Sequence, residues 1–256
     1  MKTFSTLLQS LIIILFLTGC GGSESVKKGN RTEKDSISVP DTGFTGIMQY
    51  KSGDRVVKEA TLKNGVRHGQ MKSFYRTGQL YQEFWYKNGL REDTVIWYYI
   101  EGQVFRTTPY KHDTIDGIQK QFYRTGDLKA KIGYKKGLRT PFFEEYTKEG
   151  RLVKGYPQIV AVITDEYSTK GIYKIGLELS DKSKKVTFYK GEFTDNRFDT
   201  VACKKLKTIE GKALLELKKT GTQSQNYVGV IGEILTPFGN RYLSYKRIDL
   251  PYNDLK

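Results

Sequence analysis

Two histidines, two cysteines and a few paired carboxylates are the side chains in this 256-residue sequence whose types could do chemistry near neutral pH. His68 and His112 stand apart, in Val66-Arg67-His68-Gly69 and Tyr110-Lys111-His112-Asp113, stretches with the composition of turns. A metal site needs more ligands than this, and a histidine base needs a partner to act on. Both are therefore read as turn residues, and no metal or cofactor is expected. Glu92-Asp93 and Glu144-Glu145 are adjacent carboxylates. Neighbours on a strand point to opposite faces and cannot flank one glycosidic bond, so both pairs are read as solvent-facing charges. No glycine loop ending in Lys-Ser/Thr and no serine in a nucleophile elbow occurs. Cys203 has no histidine near it in sequence and reads as a buried strand cysteine. No catalytic set emerges, and the chain is read as a non-enzyme.

Cys20 is different, because it closes an apolar run. Lys2 supplies a positive start, and Leu7 to Phe16 (LLQSLIIILF) supply a core broken only by Gln9 and Ser10. That core is too short to span a bilayer, which takes roughly 20 apolar residues, and suits an export signal, which takes about 7 to 15. Leu17-Thr18-Gly19-Cys20 resembles the lipobox of bacterial lipoproteins. The resemblance implies cleavage after residue 19, acylation of Cys20 and attachment to the bilayer through that lipid. Gly21-Gly22-Ser23 then opens a polar stretch without enough apolar surface to offset chain entropy, which reads as a flexible tether. Gly21 stands where inner-membrane lipoproteins commonly carry aspartate, so the outer membrane of a Gram-negative bacterium is expected.

With residue 20 acylated, only Cys203 remains and no intramolecular disulfide can form. Stability must come from packing. Eighteen tyrosines, and 26 glycines against 6 prolines, suit many short strands and tight turns. The formal charge of +15 is spread along the chain and predicts attraction to acidic lipid head groups or acidic polysaccharide. Export excludes nucleic acid as the expected partner.

The elements that must position any site follow from a repeat. Gly78, Gly102, Gly126 and Gly150 recur every 24 residues. Phe74-Tyr75, Tyr98-Tyr99 and Phe122-Tyr123 precede the first three, with Tyr146 before the last, and Leu80, Val104, Leu128 and Leu152 follow. In phase run Tyr86-Lys87-Asn88-Gly89, Tyr110-Lys111-His112-Asp113 and Tyr134-Lys135-Lys136-Gly137. Two turns per unit, separated by runs of about six to eight residues, are the spacing of hairpins placed end to end. Leu80, Phe84 and Tyr86 fall on alternate positions, the period of a strand with one buried face. Adjacent aromatics must then point to opposite faces. One ring per unit is expected in the core, and Tyr75, Tyr99 and Tyr123 are the candidate displayed column and binding surface.

The Lys-Asn-Gly, Gly69, Phe74-Tyr75, Gly78 pattern resembles the bacterial variant of the MORN repeat, over roughly residues 43 to 156 in about four and a half units. The resemblance implies an elongated, twisted antiparallel sheet and a role in binding or scaffolding rather than catalysis. Many bacterial members carry an antitoxin label; a lipid signal opposes it, since an antitoxin for a cytosolic toxin belongs in the cytosol. Asp93 and Pro141 stand where other units have Gly69 and Gly117, which implies irregular turns along that edge.

The glycine period stops at Gly150, and Pro157 marks a boundary. Beyond it, apolar runs at 159–163, 172–179, 186–193, 213–217 and 227–235 are separated by polar clusters, the rhythm of a small β-sandwich. Residues 232–239 read as a strand entering a hairpin turn. The whole is expected to be all-β: signal peptide over 1–19, tether over 20–42, repeat sheet over 43–156 and C-terminal β domain over 157–256. The leading function is a membrane-anchored binding or scaffolding lipoprotein of the envelope that takes a protein or acidic glycan. The alternative is a hydrolase of envelope polymers with its site in residues 157–256.

Overall fold

A computed structural model describes residues 43–256. Cys20, the export signal and the tether lie outside the described residues. Ten strands make one antiparallel sheet: β1 (Gly46–Ser52), β2 (Arg55–Lys63), β3 (Val66–Phe74), β4 (Leu80–Lys87), β5 (Leu90–Tyr98), β6 (Val104–Lys111), β7 (Thr114–Ile115), β8 (Gly117–Phe122), β9 (Leu128–Lys135) and β10 (Leu138–Glu145). Each pairs with its predecessor except β8, which like β7 pairs with β6.

Two turn types alternate along this sheet, and both follow from its sequence. Asn64-Gly65, Asn88-Gly89, His112-Asp113 and Lys136-Gly137 are two-residue hairpin loops with positive φ at both positions. That is the geometry whose twist matches the flanking strands and which favours Asn-Gly. Asp113 takes φ 62° in place of glycine. At the other end of each hairpin the Tyr75 N–H donates to the Gln79 carbonyl and the Gly78 N–H to the Tyr75 carbonyl, at 2.8 and 2.9 Å. Gly102, Gly126 and Gly150 close the same loop one unit further on each time. The four equivalent turns thus sit where the period predicts.

Asp93 and Pro141 occupy something more regular than the expected edge irregularities. Ala60 opposes Met71 while Leu62 opposes Arg67, so β3 gains residues relative to β2. The same slip separates Glu83–Ile96 from Trp85–Glu92, and Ile132–Phe143 from Tyr134–Arg139. Every unit therefore carries a bulge, at Gly69, Asp93, Gly117 and Pro141 in turn, and bulges increase twist. Asp93 is held at φ 65° and accepts the Thr94 N–H on its own Oδ1 at 2.8 Å. Asp93→Val should therefore lower stability by about 1 to 3 kcal/mol, because a β-branched residue resists positive φ, whereas Asp93→Gly should stay near the native value. Urea unfolding midpoints compare the two; equal midpoints would show that the bulge is unstrained.

The remaining residues form two four-stranded sheets. One contains β11 (Ile159–Glu166), β12 (Ile172–Leu179), β15 (Thr208–Ile209) and β16 (Lys212–Lys218), and the other β13 (Val186–Lys190), β14 (Lys204–Lys205), β17 (Tyr227–Leu235) and β18 (Arg241–Asp249). The one-turn α1 (Tyr167–Lys170) links β11 to β12. Alternate residues explain the sandwich: Tyr173, Ile175, Leu177 and Leu179 of β12 meet Val186, Phe188, Val228 and Val230 of the opposing sheet in one core. β17 is buried on both faces, since Ile231 joins Tyr189, Phe198, Leu243 and Cys203 on the far side. Cys203 is buried as expected, but it lies in a bend just before β14 rather than in a strand. Burial pushes its thiol pKa up, and Sγ lies 3.6 Å from the Glu192 carbonyl. No helix among the described residues is long and apolar enough to cross a membrane.

Candidate binding face

Strand register sorts the repeat sheet into two chemically different faces. Directly opposed residues share a face, so one side carries the row Leu62, Arg67, Tyr86, Arg91, Tyr110, Ile115, Tyr134 and Arg139. Arg67 lies 5.3 Å from the Tyr86 ring centroid, and Arg91 lies 4.5 Å from that of Tyr110. Trp97 and Arg106, opposed across β5 and β6, lie deeper on the same side, with the guanidinium 4.0 Å from the indole centroid. A cation over an aromatic face is attracted by the ring quadrupole, most strongly when desolvated. Between the rows sit Ala60, Met71 and Val95, all buried.

Charge balance distinguishes the arginines. Arg91 Nε donates to Asp113 Oδ1 at 2.9 Å. Burial alone would raise the Asp113 pKa, but the hydrogen bonds from Arg91 outweigh it and hold the carboxyl below its ordinary range. Arg139 pairs with Glu233 at 2.9 Å. Arg106 pairs with no carboxylate among the described residues: burial lowers its pKa, its Coulombic neighbours are Tyr110, Tyr134 and Tyr81, and its buried Nε has no partner. A part-buried guanidinium with no carboxylate to balance it, framed by aromatic rings, can take an anion. The opposite face carries paired charges and hydrogen-bonded carboxylates. There Lys131 pairs with Glu144 at 2.9 Å, Tyr98 donates to Glu83 at 2.7 Å, and Gln49 to Glu59 at 2.8 Å.

Tyr75, Tyr99 and Tyr123, the candidate displayed column, also bond within the sheet. Their hydroxyls donate to the carbonyls of Tyr98, Phe122 and Tyr146 at 2.7, 3.0 and 2.7 Å, each reaching into the following unit. All three are half-buried, as are Phe74, Tyr98 and Phe122. Each tyrosine is the first residue of a turn, closed by the N–H of Gly78, Gly102 or Gly126 on its carbonyl. Tyr75 also packs on Tyr81 at 4.9 Å and Tyr99 on Phe105 at 5.1 Å.

Glu145 departs further from expectation. It is 0 % exposed and accepts the Thr236 hydroxyl at 2.9 Å and the Asn240 amide at 2.7 Å on one oxygen, with the Tyr156 hydroxyl 3.4 Å from the other. Thr236 and Asn240 bracket the hairpin turn between β17 and β18, closed by the Gly239 N–H on the Thr236 carbonyl. A carboxylate at the end of the repeat sheet thus satisfies the sandwich's turn, while its neighbour Glu144 faces Lys131 on the other side. Beside it, Phe143 and Tyr156 pack on Tyr242, with the two tyrosine rings stacked at 4.5 Å. The Phe198 N–H reaches the Arg139 carbonyl at 2.7 Å to complete the junction.

His112 is a turn residue with φ 48°, its Nε2 3.3 Å from Glu92. His68 is not: it lies within β3 beside the bulge, and its Nδ1 accepts the Asn88 N–H at 3.4 Å. Among the described residues no three His, Cys, Asp or Glu side chains converge to hold a metal. Several acidic residues of the sandwich are tied to basic or phenolic groups: Glu166 to Lys170 and Lys174, Glu178 to Lys212, and Glu192 to Tyr245.

A chain of hairpins with a turn-and-bulge period of 24 residues has a counterpart among known families. Residues 67–89 and 115–136 match the MORN repeat variant. The matched stretches run from Arg67 to the Asn88-Gly89 turn and from Ile115 to Lys136 of the equivalent turn two units on. No curated protein and no solved structure matches the chain. Within the MORN-like sheet the arginine and aromatic face is visible in sequence only as a second period, Arg67, Arg91 and Arg139 beside Tyr86, Tyr110 and Tyr134. Arg106 has no such signal, because it occurs in one unit alone.

Proposed function

We propose that this protein is a membrane-anchored binding module of the bacterial envelope that holds an acidic polysaccharide on the arginine and aromatic face of its repeat sheet. MORN repeats commonly serve binding and scaffolding. The observation that carries the reading is Arg106, part-buried over Trp97 with no carboxylate partner among the described residues. Uronate carboxylates match that guanidinium, and sugar rings match the flanking tyrosines. The formal charge of +15 favours approach of a polyanion. The Leu17-Thr18-Gly19-Cys20 resemblance supports attachment through acylated Cys20, and the residue after it supports the outer membrane.

The test titrates the full chain with polygalacturonate. Binding should weaken with salt, and Arg106→Gln should weaken it about tenfold, near 1.4 kcal/mol, with little change in melting. Equal affinity of the variant, or no binding at low salt, would sink the glycan reading, and co-purification of one stoichiometric protein would replace it. Attachment is tested separately: Cys20→Ser should lose the acyl label, and a labelled variant would refute the lipoprotein reading.

A further inference from the structure

The sandwich has a cavity of about 410 Å³ at one end, remote in sequence from the repeat sheet. Lys190 is the residue that singles it out. In β13 the inward positions run Val186, Phe188, Lys190, the first two buried in the core, and Lys190 opposes Val230, which is 0 % exposed. Its side chain therefore continues an interior stripe, and Lys190 lines the cavity where that stripe ends. Across the other strand it opposes Lys204, a like charge that makes the position unfavourable without a ligand. No carboxylate pairs with Lys190 among the described residues. Burial lowers its pKa, and Lys204 and Lys256 lower it further.

The cavity's other walls narrow the ligand. Leu217, Val228, Leu250 and Leu255 make an apolar floor. Glu192 lines the same space, but its oxygens are taken by the Tyr245 and Tyr227 hydroxyls at 2.7 and 3.3 Å, and its charge disfavours a dianion. We propose that this cavity binds an organic monocarboxylate with an apolar body, its carboxylate on the Lys190 ammonium and its body against the leucine and valine floor. The volume suits a small molecule, and a half-buried cation on an apolar floor selects for a ligand with both parts. This site is independent of glycan binding by the repeat sheet.

The experiment is calorimetric titration of the full chain in nanodiscs with octanoate, octanol and acetate, empty discs serving as the blank. Octanoate should bind with one-to-one stoichiometry, at least tenfold tighter than octanol, and acetate should not saturate at millimolar concentration. Lys190→Met keeps length and removes the charge, so it should melt at or above the native temperature while losing the preference for octanoate over octanol. No octanoate binding, or an unchanged preference in Lys190→Met, overturns the proposal. Should the variant fail to fold, acetylation of the native chain by acetic anhydride, mapped by mass spectrometry, decides: octanoate should slow labelling of Lys190 severalfold and leave Lys204 unaffected, and equal labelling of Lys190 with and without octanoate overturns it.

Discussion

Replacing Glu145 with alanine is expected to destabilise the protein by about 3 to 5 kcal/mol, because two buried donors lose their acceptor and a cavity opens beside them. The Thr236 hydroxyl and the Asn240 amide both donate to Glu145 Oε1, and the residue is 0 % exposed. Each orphaned donor costs about 1 to 3 kcal/mol, which sets the range. Glu145→Gln keeps one acceptor oxygen and the volume, so it should recover most of the loss. Urea unfolding compares the three chains. An alanine variant with the native midpoint would show that the turn between β17 and β18 does not need the repeat sheet. Where the contact matters as argued, the alanine variant should also become sensitive to limited proteolysis between β10 and β11, since its loss frees the junction from Tyr146 to Gln158.

The triple change Tyr75→Phe, Tyr99→Phe and Tyr123→Phe should cost about 3 kcal/mol in all. Each hydroxyl removed leaves a carbonyl of the next unit without its donor, worth about 1 kcal/mol, and the three sites lie in separate units so that their effects add. For a chain of this size that corresponds to a fall in melting temperature of roughly 6 to 12 °C. Rings and volumes are kept, so cavity formation does not contribute. Polygalacturonate affinity, measured below the transition, should be unchanged, because these hydroxyls face their own backbone rather than a ligand. The opposite outcome, native stability with lost affinity, would restore the three tyrosines as a displayed binding column and remove the case for the Arg106 face.

Both results turn on contacts between residues distant in the chain, and that separates what was legible in the sequence from what was not. The turns were legible, because Asn-Gly and Gly78-type loops are local: φ at Gly65 or Gly78 depends on the residue itself and its immediate neighbours. Strand direction and the hairpin period follow from those turns, and the alternation of Tyr173, Ile175, Leu177 and Leu179 was sufficient to place a buried strand in the C-terminal region. The bulges were half legible. Gly69 and Gly117 suggest a special position, but Asp93 and Pro141 revealed that it is a bulge only once the register across the neighbouring strand was known.

The face assignments required the tertiary structure. Alternation says that neighbours differ in face, without saying which face is which, and each bulge resets the count. Arg106 meets Trp97 because a twisted pair of strands brings them into register, and its lack of a carboxylate is a property of everything around it rather than of its sequence neighbours. That the Tyr75 hydroxyl reaches the Tyr98 carbonyl, 23 residues on, is likewise set by the stacking of the units. Glu145 is the clearest case: its partners Thr236 and Asn240 lie 91 and 95 residues away, and only the meeting of two sheets turns an ordinary surface carboxylate into a buried one. Lys190 is illegible for the same reason, since a lysine ending the run Val-Thr-Phe-Tyr-Lys looks like a strand terminus until the opposing sheet encloses it. Local backbone chemistry is written along the chain, while burial, charge balance and cavities exist only after distant segments have packed against one another.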